Sequence, residues 1–319
     1  MEIRRECYEV GALLYCPALN EGLSDSIIHE KFGKHYSVAL CLEDSVADAY
    51  VAKAEQQLYT TLLQIKEAEN IFYHPKIFIR VRDPEQLDRV HDMLGGCRDI
   101  VMGYIFPKYT ISNAPVYNRK IKAINKGRNK PFYMMPILES EDIIDYSSRR
   151  QILLNIKKML DAVQEYVLNV RVGGNDFCNT FAARRHYDET IYDIKPIADV
   201  LTDILTVFSR EYVVSGPVWE FFASDNNEWK DGLLREAKLD RLNGFVGKTV
   251  IHPKQICVVN EALKVSHKDY EDAGAILGWS DDNGLQVSKG AGGERMNELK
   301  THGNWAMKTM ILARIYGVG

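Results

Sequence analysis

A chain of 319 residues with 46% hydrophobic and 26% charged content can bury one large core or two, which argues against wholesale disorder. Its formal net charge of −4 provides no basic face for nucleic acid. No apolar run reaches the roughly 20 residues that cross a bilayer, and Met1-Glu-Ile-Arg-Arg lacks a signal-peptide core, so a cytoplasmic protein without a membrane partner is expected.

The first strand is read at Gly11-Ala-Leu-Leu-Tyr-Cys-Pro17, followed by a helix from about Ser24. A second apolar run, Val38-Ala-Leu-Cys-Leu, ends at Glu43-Asp44 and leads into a helix over 48–67. Strand three spans 76–82 and contains Ile77-Phe-Ile-Arg80; Pro84 opens the next helix and Gly95-Gly96 closes it. Strand four, from Ile100, ends at Lys108, with a helix over 115–126. Strand five, Phe132-Tyr-Met-Met-Pro-Ile-Leu-Glu139, precedes helical pieces at 141–146 and 149–165. Strand six, from Tyr166, is taken to end at Asp176, and the polar segment 178–193 reads as a functional loop over the rim. A helix over 194–210, strand seven at 212–216, a helix over 227–242 and strand eight at 244–251 complete the series.

Eight strand-and-helix units between residues 11 and 265 predict the α/β class and a (β/α)8 TIM barrel over residues 1–265. Residues 266–319 read as a C-terminal helical extension, a lid or oligomerisation segment, with helices at 266–278 and 296–316. Between them lies a flexible glycine-rich linker, 279–293, that includes Asp281-Asp-Asn-Gly. The six cysteines (Cys7, Cys16, Cys41, Cys97, Cys178, Cys257) are scattered without a C-x-x-C pair and read as small hydrophobes.

Five successive strand ends carry charge: Glu43-Asp44, Arg80, Lys108, Glu139 and Asp176. A parallel barrel gathers its catalytic groups at the C-terminal ends of its strands. Two neighbouring carboxylates require a shared proton or a cation, and hard oxygen ligands favour Mg2+, so Glu139 and Asp176 are the candidate metal ligands. The competing reading has Glu139 capping the helix after Ser140 and Asp176 closing a Gly-Gly-Asn-Asp turn. Arg149-Arg150 and Arg184-Arg185 are basic pairs able to meet phosphate on a small ligand.

At Leu42-Glu43-Asp44, Phe78-Ile-Arg80, Phe106-Pro107-Lys108, Ile137-Leu138-Glu139-Ser140, Gly173-Gly174-Asn175-Asp176 and Gly247-Lys248 through His252-Pro253, the sequence resembles the HpcH/HpaI aldolase and citrate lyase beta-subunit family. Six short matches in family order over residues 11–265 place it in a divergent branch, with the branch encoded beside tellurite-resistance genes as the candidate. The resemblance implies a lyase or aldolase that works through an enolate on a 2-oxo or 2-hydroxy acid or its acyl-CoA thioester, and a homo-oligomer. It puts Mg2+ on Glu139 and Asp176 and the substrate carboxylate on Arg80. It adds Lys108, Gly174 and Asn175 to the substrate site, and uses Glu43 and Asp44 as braces, Asp44 with a catalytic part or, alternatively, as a helix cap. Arg82 stands where the family has a small polar residue; the extra charge implies either a more anionic substrate or a salt bridge to Asp83 or Glu85, and the salt bridge is expected. His252 is given no catalytic role. The family's acid/base comes from a C-terminal Met-Ile-Asp segment; Met296-Asn297-Glu298 is the counterpart, with Glu298 the substitute and Asn297 next. A solvated helix position for Glu298 stays open, as do a non-CoA aldolase and a metal- and anion-binding barrel acting as a sensor or assembly subunit.

Overall fold

The structure, a computed structural model, describes residues 4–69, 71–279 and 285–319. By their contacts the residues divide into two compact units, 1–259 and 260–319.

Among the described residues of the first unit, eight parallel strands form one sheet in the order β7-β6-β5-β4-β3-β2-β1-β8. They are β1 (Ala12–Pro17), β2 (Tyr36–Cys41), β3 (Lys76–Arg80), β4 (Val101–Phe106), β5 (Tyr133–Leu138), β6 (Val170–Val172), β7 (Val214–Ser215) and β8 (Lys248–Val250). A parallel bridge between Gly216 and Lys248 joins the two edges, so the sheet closes as a (β/α)8 barrel. All six residues of β2 and of β5 are buried, as continuous apolar runs covered on both faces should be.

The connecting helices are α1 (Leu23–Ile28), α2 (Val51–Glu67), α3 (Pro84–Met93), α4 (Ala114–Asn125), α5 (Arg149–Asp161), α6 (Gly174–Thr180), α7 (Lys195–Phe208), α8 (Glu228–Asn243) and α9 (Lys254–Leu263). Local chemistry sets their starts. In α3 the Asp83 carboxylate accepts the Gln86 N–H and Pro84 occupies the first turn, where its missing N–H costs nothing. The sixth unit departs from the predicted boundaries: β6 stops at Val172 and the chain coils at once into α6, so Asp176 lies in a first helical turn rather than on a strand.

The predicted rim loop at 178–193 is bolted down. Arg185 is buried, pairs with Glu236 of α8 at 3.1 Å and donates to the Val218 carbonyl. The Ile191 N–H donates to Glu236, and the Tyr192 hydroxyl donates to Asp240 at 2.7 Å. Lys248 holds both acids, at 2.9 and 2.6 Å. Arg185 is therefore committed to structure, as is Arg149, which pairs with Asp203 at 2.9 Å and donates to the Ile143 and Ile144 carbonyls.

The second unit contains α10 (His267–Leu277), β9 (Val287–Lys289), β10 (Met296–Glu298) and α11 (Leu299–Tyr316). Ala273 and Ile276 pack with Ala306, flanked by Leu299 and Met310. Of the predicted linker, 280–284 lie outside the described residues; 287–289 pair antiparallel with 296–298 as a hairpin instead of a free tether. Asp272 is its anchor: it accepts the Ala291 N–H at 2.6 Å and the Asn297 amide at 3.0 Å, and pairs with Arg295. Glu298 accordingly ends a strand and precedes α11 rather than lying within a helix.

Candidate active site

Consecutive strands deliver their charged ends to the same rim. Register explains it: Cys41 pairs with Arg80 across β2 and β3, and Leu138 pairs with Val172 across β5 and β6, which sets Glu139 beside Gly173. Glu43, Arg80 and Glu139 are buried, Asp176 is partly buried, and Asp44, Lys108 and Asn175 are exposed.

Arg80 is the hub. Its Nη2 lies 2.5 Å from Glu43, 3.1 Å from Asp44 and 3.5 Å from Glu139. One nitrogen of the expected carboxylate fork is thus already committed to protein acids, while Nε is buried without an acceptor. Burial would lower the guanidinium pKa, but Tyr15, Glu139 and Glu43 outweigh it and hold the charge firmly. Lys108 Nζ lies 2.6 Å from Glu43 and 3.3 Å from Asp44, and its backbone N–H donates to Glu139 at 2.8 Å. Asp44 therefore serves the charge network and caps no helix; Ala47 precedes the next helical turn. Burial would raise the Asp44 carboxyl, yet the bond from Glu43 and the Arg80 and Lys108 charges leave it lowered.

Glu139 and Asp176 converge. An ideal Cβ placed on Gly173 would sit 2.5 Å from Glu139 Oε2 and 3.0 Å from Asp176 Oδ2, so both oxygens flank one point on bare backbone. Burial first, then the Asp176 charge, push the Glu139 carboxyl up to about 7 against the opposing pull of Arg80 and the Lys108 N–H. Asp176 is raised by burial and by Asp44. Two acids crowded this way share a proton or take a cation. Glu139 accepts from Lys108 and caps no helix, and Asp176 lies in the first turn of α6. Among the described residues no group of three or more His, Cys, Asp or Glu forms a metal cage. Magnesium, which keeps several waters and uses one or two carboxylates, fits a pair.

A cavity of about 200 Å3 opens here, lined by Tyr15, Asp44, Arg80, Glu139, Arg171, Gly174, Asn175, Asp176 and Thr249 among others. Gly174 is buried, and a Cβ added to it would meet Ile191 and Pro217. Arg171 was missed from the sequence, although a lone cation inside the apolar run Val167-Leu-Asn-Val-Arg-Val172 was the available signal. A further cavity of about 320 Å3 lies at the N-terminal ends of β6 and β7, beside Arg4, Cys7 and Tyr212, on the face that barrels use for stability.

Other sequence candidates sit elsewhere. Arg82 pairs with Asp48, not with Asp83 or Glu85, and donates to the Leu42 and Val46 carbonyls. His252 stacks on Phe222 at 4.6 Å. Cys178 is buried, and burial raises its thiol pKa. In the second unit the Glu298 carboxylate accepts from Thr301 at 2.6 Å, while buried Asn297 is spent on Asp272.

CitE from Mycobacterium tuberculosis, solved with magnesium, acetoacetate and coenzyme A, is 18% identical, with a TM-score of 0.62 over 98% of this chain and 99% of that one. A citrate lyase from Burkholderia xenovorans gives a TM-score of 0.72 at 13% identity, covering 97% and 93%. RipC from Yersinia pestis gives 0.53 at 16% identity, covering 80% and 95%. At these identities the likeness is one of fold. Among curated proteins none matches the chain. The family model of the C-C bond lyases of the TIM-barrel fold matches residues 4–318, nearly the whole length. With its barrel closed and its charged strand ends gathered at one rim, the chain belongs to that family of carbon-carbon bond lyases.

Proposed function

We propose that the protein is a magnesium-dependent lyase or aldolase that makes or breaks a carbon-carbon bond next to a carbonyl, through an enolate. Its substrate is a 2-oxo or 2-hydroxy acid or the coenzyme A thioester of one. The observation that carries this reading is the meeting of Glu139 and Asp176 over Gly173, two acids whose carboxyls are both raised and whose charge calls for a cation. The magnesium-bound CitE structures support it.

Glu139 and Asp176 would hold the ion, which supplies Lewis acidity and a template for adjacent oxygens. Arg80 keeps Glu43 and Glu139 in place and offers its free Nε–H to a bound carboxylate. Lys108 neutralises Glu43 and Asp44, so that the rim can accept an anion. Asn175 and Gly174 border the same cavity and shape the substrate site. Glu298 is proposed as the proton donor and acceptor, with a homo-oligomer as the working assembly.

Titration calorimetry with magnesium tests the metal assignment: Glu139→Ala and Asp176→Ala should each abolish binding, and unchanged affinity in both refutes it. Turnover of an acyl-CoA with glyoxylate, set against a 2-oxo acid with a simple aldehyde, separates thioester from non-thioester chemistry. Glu298→Gln should lower kcat by about 10²-fold or more with KM nearly unchanged; wild-type kcat removes Glu298 from the reaction.

A further inference from the structure

Arg171 lies in the middle of β6 and is 1% exposed. Its Nη2 donates to Thr249 Oγ1 at 2.6 Å, its Nη1 reaches Asn169 Oδ1 at 3.5 Å, and its Nε has no acceptor. Among the described residues no carboxylate lies within salt-bridge distance of it. Every other guanidinium buried in this unit has an acid: Arg80 has three, Arg149 has Asp203 and Arg185 has Glu236. Burial depresses the pKa of Arg171, and the titratable groups that act on it are a phenol, Tyr15, and a second cation, Arg80.

An uncompensated buried charge is among the most destabilising features a fold can carry, and it persists where something else supplies the countercharge. Arg171, Tyr15 and Thr249 line the same cavity as Glu139 and Asp176. The countercharge therefore has space to enter, from the side on which the substrate is read to bind.

We propose that Arg171, with Tyr15 and Thr249, forms a second anion subsite inside the barrel that takes the distal carboxylate of a short dicarboxylic 2-oxo acid. This rests on the reading of the cavity as the substrate site, with the 2-oxo acid end directed to Glu139, Asp176 and Arg80. Arg171 is then the residue that sets the number of carboxylates the substrate must carry. The extra cation that matters for charge recognition is this one, not Arg82, which is occupied by Asp48.

Calorimetry in saturating magnesium with matched probes tests it: oxaloacetate against 2-oxobutyrate, and 2-oxoglutarate against 2-oxopentanoate. Each pair differs by a carboxylate in place of a methyl. The wild-type protein should prefer one of the dicarboxylates about tenfold or more, as expected for a charge-assisted hydrogen bond. Arg171→Met should erase the preference and leave monocarboxylate affinity within about twofold, while raising the melting temperature of the ligand-free protein. Arg171→Lys should retain part of the preference, and it decides the matter if the methionine variant does not fold. Equal magnesium-dependent binding of both members of each pair overturns the subsite and leaves the substrate site standing. Binding of neither, or binding that survives Glu139→Gln, overturns both.

Discussion

Gly173→Ala is the sharpest perturbation the site offers. Gly173 has φ of −93°, which alanine tolerates, so the substitution tests space and not backbone strain. The added methyl would lie 2.2 Å from Glu139 Cβ and 2.5 Å from Glu139 Oε2, where carbon atoms are comfortable at about 3.5–4.0 Å. Glu139 must therefore retreat by roughly 1 Å or more, or β5 and α6 must separate. Overpacking of this kind costs about 1–3 kcal/mol, which lowers the melting temperature by roughly 2–10 °C. The loss at the site is of similar size, because a displacement near 1 Å costs about 10²-fold in rate. Gly174→Ala is the control. Its methyl would meet Ile191 and Pro217 side chains at 2.7 Å and no carboxylate, so stability falls while magnesium binding survives. Thermal melts, magnesium calorimetry and kcat/KM on both variants complete the comparison. Wild-type magnesium affinity in Gly173→Ala would show that the two oxygens do not need this bare backbone, and the metal assignment would fall with it.

Glu236→Ala strands Arg185 in the interior and leaves Lys248 with Asp240 alone; a loss of about 3–5 kcal/mol is expected, read as a large drop in denaturant midpoint, and a drop below 1 kcal/mol would refute the structural role of the 178–193 segment. His91, whose Nδ1 lies 2.7 Å from the Tyr104 hydroxyl, is held down to about 4 by burial and by Arg98, against an ordinary 6.5. The unfolded chain then takes up a proton that the folded chain refuses, so stability is lost as pH falls from 6.5 toward 4 and is flat in this term above 6.5. His91→Gln should flatten that part of the stability profile, and an unchanged slope would dismiss the assignment. Arg82→Ala should leave KM for any anionic substrate unchanged, since its partner Asp48 is exposed and away from the cavity; a tenfold rise in KM would return Arg82 to the site.

Much of this molecule was legible in one dimension because its signals are local. Apolar runs of five or six residues ending in charge, such as Val38 to Glu43 or Tyr133 to Glu139, are what a strand buried on both faces and open at one end must look like. Eight apolar runs, each followed by a helix, specified the barrel, and with it the common rim for Glu43, Arg80, Lys108 and Glu139. Pairing was not legible. Arg82 with Asp48, Arg185 with Glu236 and Asn297 with Asp272 join residues 34, 51 and 25 positions apart, and a charge in a sequence does not name its partner. The helical turn that carries Asp176 toward Glu139 was read as more strand, since Gly173-Gly174-Asn175 suits either. Only the closed barrel decided that Arg171 reaches the cavity with no carboxylate paired to it, because burial and countercharge are properties of the space between strands and not of the strand that bears the residue.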